Sequence, residues 1–475
     1  VSSLSTSRAL RTVRLLSLPA GALALSVEGA ARRVAGQDPE VVRRALRQRN
    51  AARTRRVLGD LKGGALKAGQ LLSTVETLFP QDPDGTWRDT LTSFQESNPA
   101  APFTDLEPVL AAELHRGPGN GNGGGGWRGG NTTGGWRGGN TTGGWRGGNT
   151  TGGWRAALPE LDPHAVAAAS LGQVHRGRWH DGREVAVKVQ YPGVREALTV
   201  DLRAISVVSR LTAVVARGMA LPPLVAEMRE RLVEELDYLR EASVQGTFAD
   251  AYRGDPDVVV PEVVTATPRV LVTEWLGGTP LSRVATHGSP AERDRAGATY
   301  QRFLLSGPER AGWLHTDPHP GNFRLLPDGR LGVLDFGSAL PMPEGMPATF
   351  GRLISVLISG DDAEVLRGLT EEGFVRPGAR LEVGKLVDYM APFTEPARHE
   401  RFTFTRDWLR GQFGRVNDPR NPDFAVALQL TMPPEHLFTH RVWLGIVGVL
   451  SQLEATVPIR TELVRWLPGF DPPTG

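Results

Sequence analysis

The sequence predicts an α+β chain, and three observations lead there. Strand-forming residues are concentrated in 165–190, 270–276 and 331–334, each bounded by turn-forming residues. Apolar residues recur at helical spacing through 39–79, 222–246 and most of 344–467. Strand-rich and helix-rich stretches fall in separate blocks, as in folds whose two kinds of layer are segregated. The expected divisions are a helical extension over 1–116, an insert over 117–155, a β-rich stretch over 156–278 and a mainly helical stretch over 279–475.

The bulk numbers agree with an ordinary globular chain. At 475 residues, with 40% hydrophobic and 22% charged, it has room for two or three domains and enough apolar surface for a sizeable core. It contains no cysteine, which excludes disulfides, thiolate metal sites and cysteine nucleophiles and fits a reducing cytoplasm. The net charge of +2 is unevenly spread: residues 1–62 hold 13 Arg/Lys against 4 Asp/Glu, a local +9. Such a basic head suits an anionic partner surface, lipid or nucleic acid, although a solvated Arg-rich helix has the same composition.

In chain order, residues 8–30 join Arg8, Arg11 and Arg14 to a short apolar run and then small residues. A secretory leader looks like this, but the site described below argues for a cytoplasmic amphipathic segment resting on a membrane surface. The run is too short and interrupted to span a bilayer. Residues 39–79 keep an apolar stripe through Val41, Val42, Ala45, Leu46, Val57, Leu58, Leu61 and Leu66. Within that helix, Lys67-Ala68-Gly69-Gln70 taken alone is a surface lysine beside a packing glycine.

Residues 117–155 repeat Gly-Gly-Trp-Arg-Gly-Gly-Asn-Thr-Thr with period nine, placing Trp127, Trp136, Trp145 and Trp154 in equivalent positions. So much glycine cannot repay its ordering entropy with buried area, so a disordered insert is expected. Arg, Gly and aromatic residues together can bind single strands, yet an inert tandem expansion is the simpler reading and no nucleic-acid partner is expected.

The Asp181-Gly182 pair between two β-rich runs signals a hairpin. On its second strand, alternation puts Val185, Val187 and Val189 on one face and Ala186, Lys188 and Gln190 on the other. The first strand is preceded by an alanine loop, Ala167-Ala168-Ala169-Ser170. Residues 222–246 read as one helix, opened by Pro222-Pro223 and closed by Gly246, with Glu234, Glu235, Asp237 and Glu241 among its acidic residues. Asp237 and Glu241 are expected to share a face, and one of these carboxylates to pair with Lys188. Val270–Glu274 reads as a buried strand running through Trp275-Leu276 into Gly277-Gly278. Ser289-Pro290-Ala291-Glu292 has the form of a capping box with proline in the first turn.

The chemistry concentrates in His315-Thr316-Asp317-Pro318-His319-Pro320-Gly321-Asn322 and in Leu334-Asp335-Phe336-Gly337. Asp, Asn, Pro and Gly also make ordinary turns. In this order, however, they supply a carboxylate to orient a nucleophile and an amide plus a second carboxylate to hold Mg²⁺ against phosphates. The protein-kinase signature H-R-D-x-x-x-x-N followed by D-F-G has the same order and the same Asp-to-Asn interval, and Val185-Ala186-Val187-Lys188 matches its V-A-I-K. On that reading Lys188 meets the ATP phosphates, Ala167–Ser170 stand where kinases have a glycine-rich loop, and Glu274 and Leu276 offer main-chain groups to adenine. Alanine removes the left-handed conformations that glycine allows, so the loop is expected to be stiffer. No further catalytic set is apparent between Glu344 and Leu467.

Together these residues resemble the UbiB/AarF family of atypical kinase-like proteins, linked to ubiquinone and other isoprenoid-lipid metabolism. The specific features are Lys67-Ala68-Gly69-Gln70 for the family's K-x-G-Q, the alanine loop, and Glu235-Leu236-Asp237 for its E-x-D. The resemblance implies a two-lobed protein-kinase-like fold using ATP and Mg²⁺, with a small β-rich N-lobe, added N-terminal helices and a mainly helical C-lobe. It implies that the helix carrying Lys67 and Gln70 covers the nucleotide site and meets Glu235 and Asp237, as regulatory elements. It picks Glu241 as the partner of Lys188, with Asp317 catalytic and Asn322 and Asp335 on the metal. A quinone- or isoprenoid-type lipid is the implied partner; peripheral contact with the inner face of an anionic membrane and a homodimer stay open. Two other readings remain: a small-molecule phosphotransferase of the aminoglycoside or choline kinase type, and a nucleotide-gated lipid-binding scaffold with little turnover.

Overall fold

Helix α1 (Phe103–Glu113) opens the continuous part of the computed structural model, which describes residues 100–114, 153–168, 171–200, 202–203, 233–359, 362–417, 425–426, 429–431 and 433–472, with single positions between 28 and 49. Leu106, Val109 and Leu110, at i, i+3 and i+4, form its buried face. Helix α2 (Gly153–Ala157) packs beside it. Trp154 and Arg155 correct the expected insert boundary. Trp154 is 7% exposed and meets Phe103 edge-on at 6.1 Å, while Arg155 lies over its ring and pairs with Glu107. Burying an indole gives this last repeat unit the apolar contact that glycine-rich repeats cannot provide for themselves. Residues 117–152 lie outside the described residues, as do Lys67 and Gln70; Val42, Ala45, Leu46 and Arg49 of the predicted 39–79 helix are helical.

The N-terminal sheet has the order β1 (Glu160–Leu161), β3 (Gly172–Arg178), β4 (Glu184–Gln190), β7 (Val270–Glu274), β6 (Val263–Ala266), with β2 (Ala167–Ala168) also on β3. Its centre is the predicted hairpin, paired from Gly172↔Gln190 to Arg178↔Glu184, with Gly182 at φ +92° in the turn. Val185, Val187 and Val189 are fully buried against α1, Trp154, Val270 and Val272. Each contributes about 1.5–3 kcal/mol of apolar burial. Ala167 and Ala168 were expected in a loop; instead they form an exposed edge strand, Ala167↔Val174 and Ala168↔Gln173, because their main chains pair with β3.

The helix expected across 222–246 also differs. Helical geometry stops at Glu234, residues 235 and 236 turn, and α3 (Tyr238–Ala251) begins afresh, with the Asp237 carboxylate accepting from the N–H groups of Leu239 and Arg240. An aspartate at this position satisfies donors that a new helix leaves open, so capping wins over continuation. Asp237 therefore does not share a helical face with Glu241. Gly246 sits inside α3 rather than closing it, with open space around it.

The C-terminal lobe starts with β5 (Val258–Val259) and β8 (Thr279–Pro280), which flank a hairpin of β10 (Phe323–Leu325) and β11 (Leu331–Val333) in the order β5-β11-β10-β8. After α4 (Leu281–His287), the Ser289–Glu292 capping box starts α5 (Pro290–Ala311) as predicted. Gly312, at φ +70°, ends that helix and lets the chain turn into β9 (Trp313–His315). β9 pairs with β12 (Ala339–Pro341). Helices α6 (Ala348–Ser359), α7 (Asp362–Glu371), α8 (Val383–Arg398), α9 (Arg406–Asn417), α10 (Leu437–Leu453) and α11 (Ile459–Trp466) follow, with the small pair β13 (Phe402–Thr403) and β14 (Thr456–Val457). Tyr300, Phe303 and Leu304 of α5 anchor the large core with Phe323, Phe336, Ile446 and Leu450. Among the described residues, no helix is long and apolar enough to cross a membrane.

Candidate active site

Three elements deliver charge to one cluster between the lobes. Lys188 projects from β4 opposite its buried valines, and its Nζ donates to Glu241 Oε1 and Oε2 at 2.7 and 3.0 Å and to Asp335 Oδ2 at 3.2 Å. Glu241 comes from the first turn of α3; Asp335 follows β11. The Glu241 side chain is 3% exposed, Lys188 17% and Asp335 36%, so the cluster opens toward Asp335. Burial opposes the Lys188 charge, but the Asp335 and Glu241 carboxylates outweigh it and hold its pKa well above the usual lysine value. Burial pushes the Glu241 carboxyl up to about 7, against the pull of Lys188 and with Asp335 adding to the push. Lys188 also faces the buried Tyr238 ring at 5.2 Å. Gly172 makes this close packing possible: a Cβ there would collide with Val189 O and lie 2.9 Å from Tyr238 Oη.

Asp335 is oriented from two sides. Its Oδ1 accepts from the Gly337 N–H at 3.0 Å, and its carbonyl accepts from His315 Nε2 at 2.6 Å. His315 is 1% exposed and burial lowers its pKa, so it acts as a neutral imidazole whose Nε2 proton is assigned from that acceptor. Phe336 is fully buried, 5.0 Å from the Phe248 ring of α3 and 5.5 Å from His315.

On the adjoining loop, Asn322 Nδ2 donates to Asp317 Oδ2 at 2.8 Å and to Asp317 O at 3.3 Å. Engaging the amide nitrogen with Asp317 directs the amide oxygen elsewhere. The β10–β11 hairpin sets Asn322 beside the Asp335 strand, because the Leu334 N–H donates to Asn322 O at 2.9 Å. Its Asp328-Gly329 turn, with Gly329 at φ +86°, is what allows so short a return. Tyr300 Oη holds the loop by donating to Pro318 O at 2.6 Å.

Glu235, Asp237, Glu274 and Leu276 are also described. The Glu274 and Trp275 N–H groups donate to Glu262 O and Glu184 O, which makes Leu276 the first residue past the sheet bonds. Leu276 packs over Gly332, where a Cβ would collide with its Cδ2. Glu235 lies in the turn before α3 and Asp237 caps that helix. Ala169, Ser170, Lys67 and Gln70 lie outside the described residues. Among the described residues there is no group of three or more His, Asp or Glu able to hold a metal. The pair Asn322 and Asp335 is nevertheless a fitting oxygen set for Mg²⁺, which takes its other ligands from phosphates and water.

Two arginines were missed in the sequence. Arg441 of α10 donates from Nη2 to Asp317 Oδ1 at 3.1 Å across 124 positions. Arg240 of α3 donates to Ala339 O at 2.8 Å and to Gly337 O at 3.5 Å, and pairs with Glu234 at 3.2 Å. For Arg441 the available signal was an arginine alone in the apolar run Leu437–Leu453; for Arg240 there was none.

Known proteins are similar to this chain. The ABC1 atypical kinase-like domain matches residues 148–369. The mitochondrial atypical kinase COQ8 of Saccharomyces cerevisiae is 26% identical over 96% of this chain and 84% of its own length. The mitochondrial atypical kinase coq-8 of Caenorhabditis elegans is 30% identical over 62% of this chain, which spans only 40% of that protein. The solved complex of Rv3197 with erythromycin, from Mycobacterium tuberculosis, is 33% identical at a TM-score of 0.63, covering 92% of this chain and 100% of that one. With its kinase-type lobes and these relatives, the chain belongs to the UbiB/AarF family of ABC1 atypical kinase-like proteins.

Proposed function

We propose that this chain binds ATP with Mg²⁺ and either hydrolyses it or passes its phosphoryl group to a small isoprenoid- or quinone-type lipid. The observation that carries the reading is the Lys188 Nζ, within 3.2 Å of carboxylates from both lobes, Glu241 and Asp335. Lys188 binds the α/β-phosphates and Glu241 holds its amine in place. Asp317 orients the attacking hydroxyl or water, and Asn322 keeps the Asp317 carboxylate in one rotamer. The edge strand of Ala167 and Ala168 covers the phosphates, and the main chain at Glu274 and Leu276 receives adenine. Asn322 and Asp335 would hold Mg²⁺, which neutralises charge on the phosphate oxygens when bound. In so loose a transition state most of the catalysis is positioning and electrostatics, work suited to a cluster held this tightly.

Steady ATP turnover by the purified chain tests this, compared with Asp335→Asn of equal circular dichroism. Turnover is expected to fall to background in the variant; equal rates would refute the assignment. Lipid analysis of a strain lacking the gene identifies the acceptor by what accumulates. Vesicles with and without anionic lipid test whether residues 1–62 bring the chain to a membrane. A second ligand class is favoured by the erythromycin in the mycobacterial complex: a macrolide, whose binding by calorimetry, with and without Mg-ATP, separates it from a lipid.

A further inference from the structure

Helix α10 reaches the catalytic loop at two points one turn apart. Gly445 lies so close that a Cβ would collide with Pro318 Cγ and Cβ. Arg441, four residues earlier on the same face, places Nη2 3.1 Å from Asp317 Oδ1. The other carboxylate oxygen, Oδ2, is already engaged by Asn322 Nδ2 at 2.8 Å. The two side chains of the ion pair are 15% and 23% exposed, so it is shielded from solvent. The loop itself has no lysine or arginine from Asp317 to Asn322. The cation beside Asp317 therefore comes from a distant helix, and its position depends on how that helix docks.

We propose that Arg441 is a positioning residue for Asp317: together with Asn322 it pins both carboxylate oxygens, so that the face left to the nucleophile points at the bound phosphate. The inference rests on the nucleotide reading above. A shielded pair of this kind carries a desolvation cost that a purely structural contact could avoid with an apolar side chain. Its geometric purpose follows from its partners: one donor on each oxygen leaves the carboxylate no rotation about its last bond. Gly445 supplies the second half of the device, since only a residue without a side chain lets α10 bring the arginine this near.

The test uses the full chain and three substitutions, Arg441→Met, Arg441→Lys and Arg441→Ala, read as kcat and KM for ATP. Misplacing a reacting group by ~1 Å costs about 10²-fold in rate. Arg441→Met is therefore expected to lose about that factor in kcat with KM for ATP changed little, because Lys188 and the adenine contacts are untouched. Arg441→Lys, which keeps one donor, should recover part of the loss. Added guanidinium ion should raise the rate of Arg441→Ala but not of wild type, a rescue that a merely structural role would not show. Wild-type turnover with an unchanged kcat in Arg441→Met overturns this inference alone. A loss in kcat that follows the melting temperature and resists both rescues also overturns it. Absence of turnover in the wild type overturns the nucleotide reading and this inference with it.

Discussion

At the residue scale, the Lys188–Glu241–Asp335 cluster has more carboxylate than amine, and burial decides how it titrates. Glu241 is pushed up to about 7 from an ordinary value of 4.5. In that case the folded chain binds the Glu241 proton more tightly than the unfolded chain does. The group's contribution to stability is therefore complete below about 4.5 and is lost as pH rises through about 7. Glu241→Gln imitates the protonated form and should remove this dependence. Melting curves without nucleotide are expected to show wild type losing ground to Glu241→Gln between these two pH values. Parallel curves would show that the carboxylate is already ionised in the folded state. Nucleotide affinity should move the opposite way, since an uncharged Glu241 cannot hold the Lys188 amine as firmly. Lys188, Asp317, Asn322 and Asp335 could be found in the sequence because each stands at a set interval in a short motif. Arg441 could not, because nothing local links it to Asp317.

At the element scale, α3 and α10 govern the site from either side. α3 carries Glu241 to Lys188 and, one residue earlier, Arg240 to Gly337 O and Ala339 O, so one helix N-terminus aligns both the lysine and the segment after Asp335. α10 leans on the Asp317–Asn322 loop through Gly445. Gly445→Ala is expected to overpack the contact with Pro318, costing roughly 1–3 kcal/mol and lowering turnover. Gly448→Ala on the same helix has nothing within 4 Å of its new Cβ and should gain up to about 1 kcal/mol from helix propensity. Chemical denaturation of both variants checks the contrast, and equal effects would mean that α10 does not bear on the loop. The capping box at Ser289 and the Asp181-Gly182 hairpin were legible as elements, since each is a local bond pattern. The break before α3 was less so: Asp237 had to choose between sharing a helix face and capping a new helix, and the open N–H groups of Leu239 and Arg240 decided it.

At the scale of the whole molecule, two separate cores flank the cluster. One packs α1, α2 and the valine face of β4; the other is built on α5, α10 and the β10–β11 hairpin. Lys188 hangs from the first and Asp335 from the second, with Glu241 of α3 between them, so their contacts tie the lobes directly. A further tie joins the segment before α1 to the sheet: Gln173, fully buried, accepts from Ala101 N–H at 2.8 Å and donates to Ala101 O at 3.2 Å. A ligand that bridges the lobes should stabilise the chain by mass action. Mg-ATP at a hundred times its Kd is expected to add about 2.7 kcal/mol. Lys188→Met should lose most of that gain when the two proteins are melted at equal ATP. A full shift in the variant would place the nucleotide elsewhere.

By itself the sequence determined the hairpin at Asp181-Gly182, the valine face of β4, the capping box and the motifs with Lys188, Asp317, Asn322 and Asp335. All of these follow from local spacing and from bonds between near neighbours. Only the tertiary structure decided that Trp154 leaves the repeats for the core, that Ala167 and Ala168 pair as a strand, and that Arg240 and Arg441 reach the site. Those outcomes depend on which surfaces dock, and docking is set by burial and charge across long separations that no local pattern records.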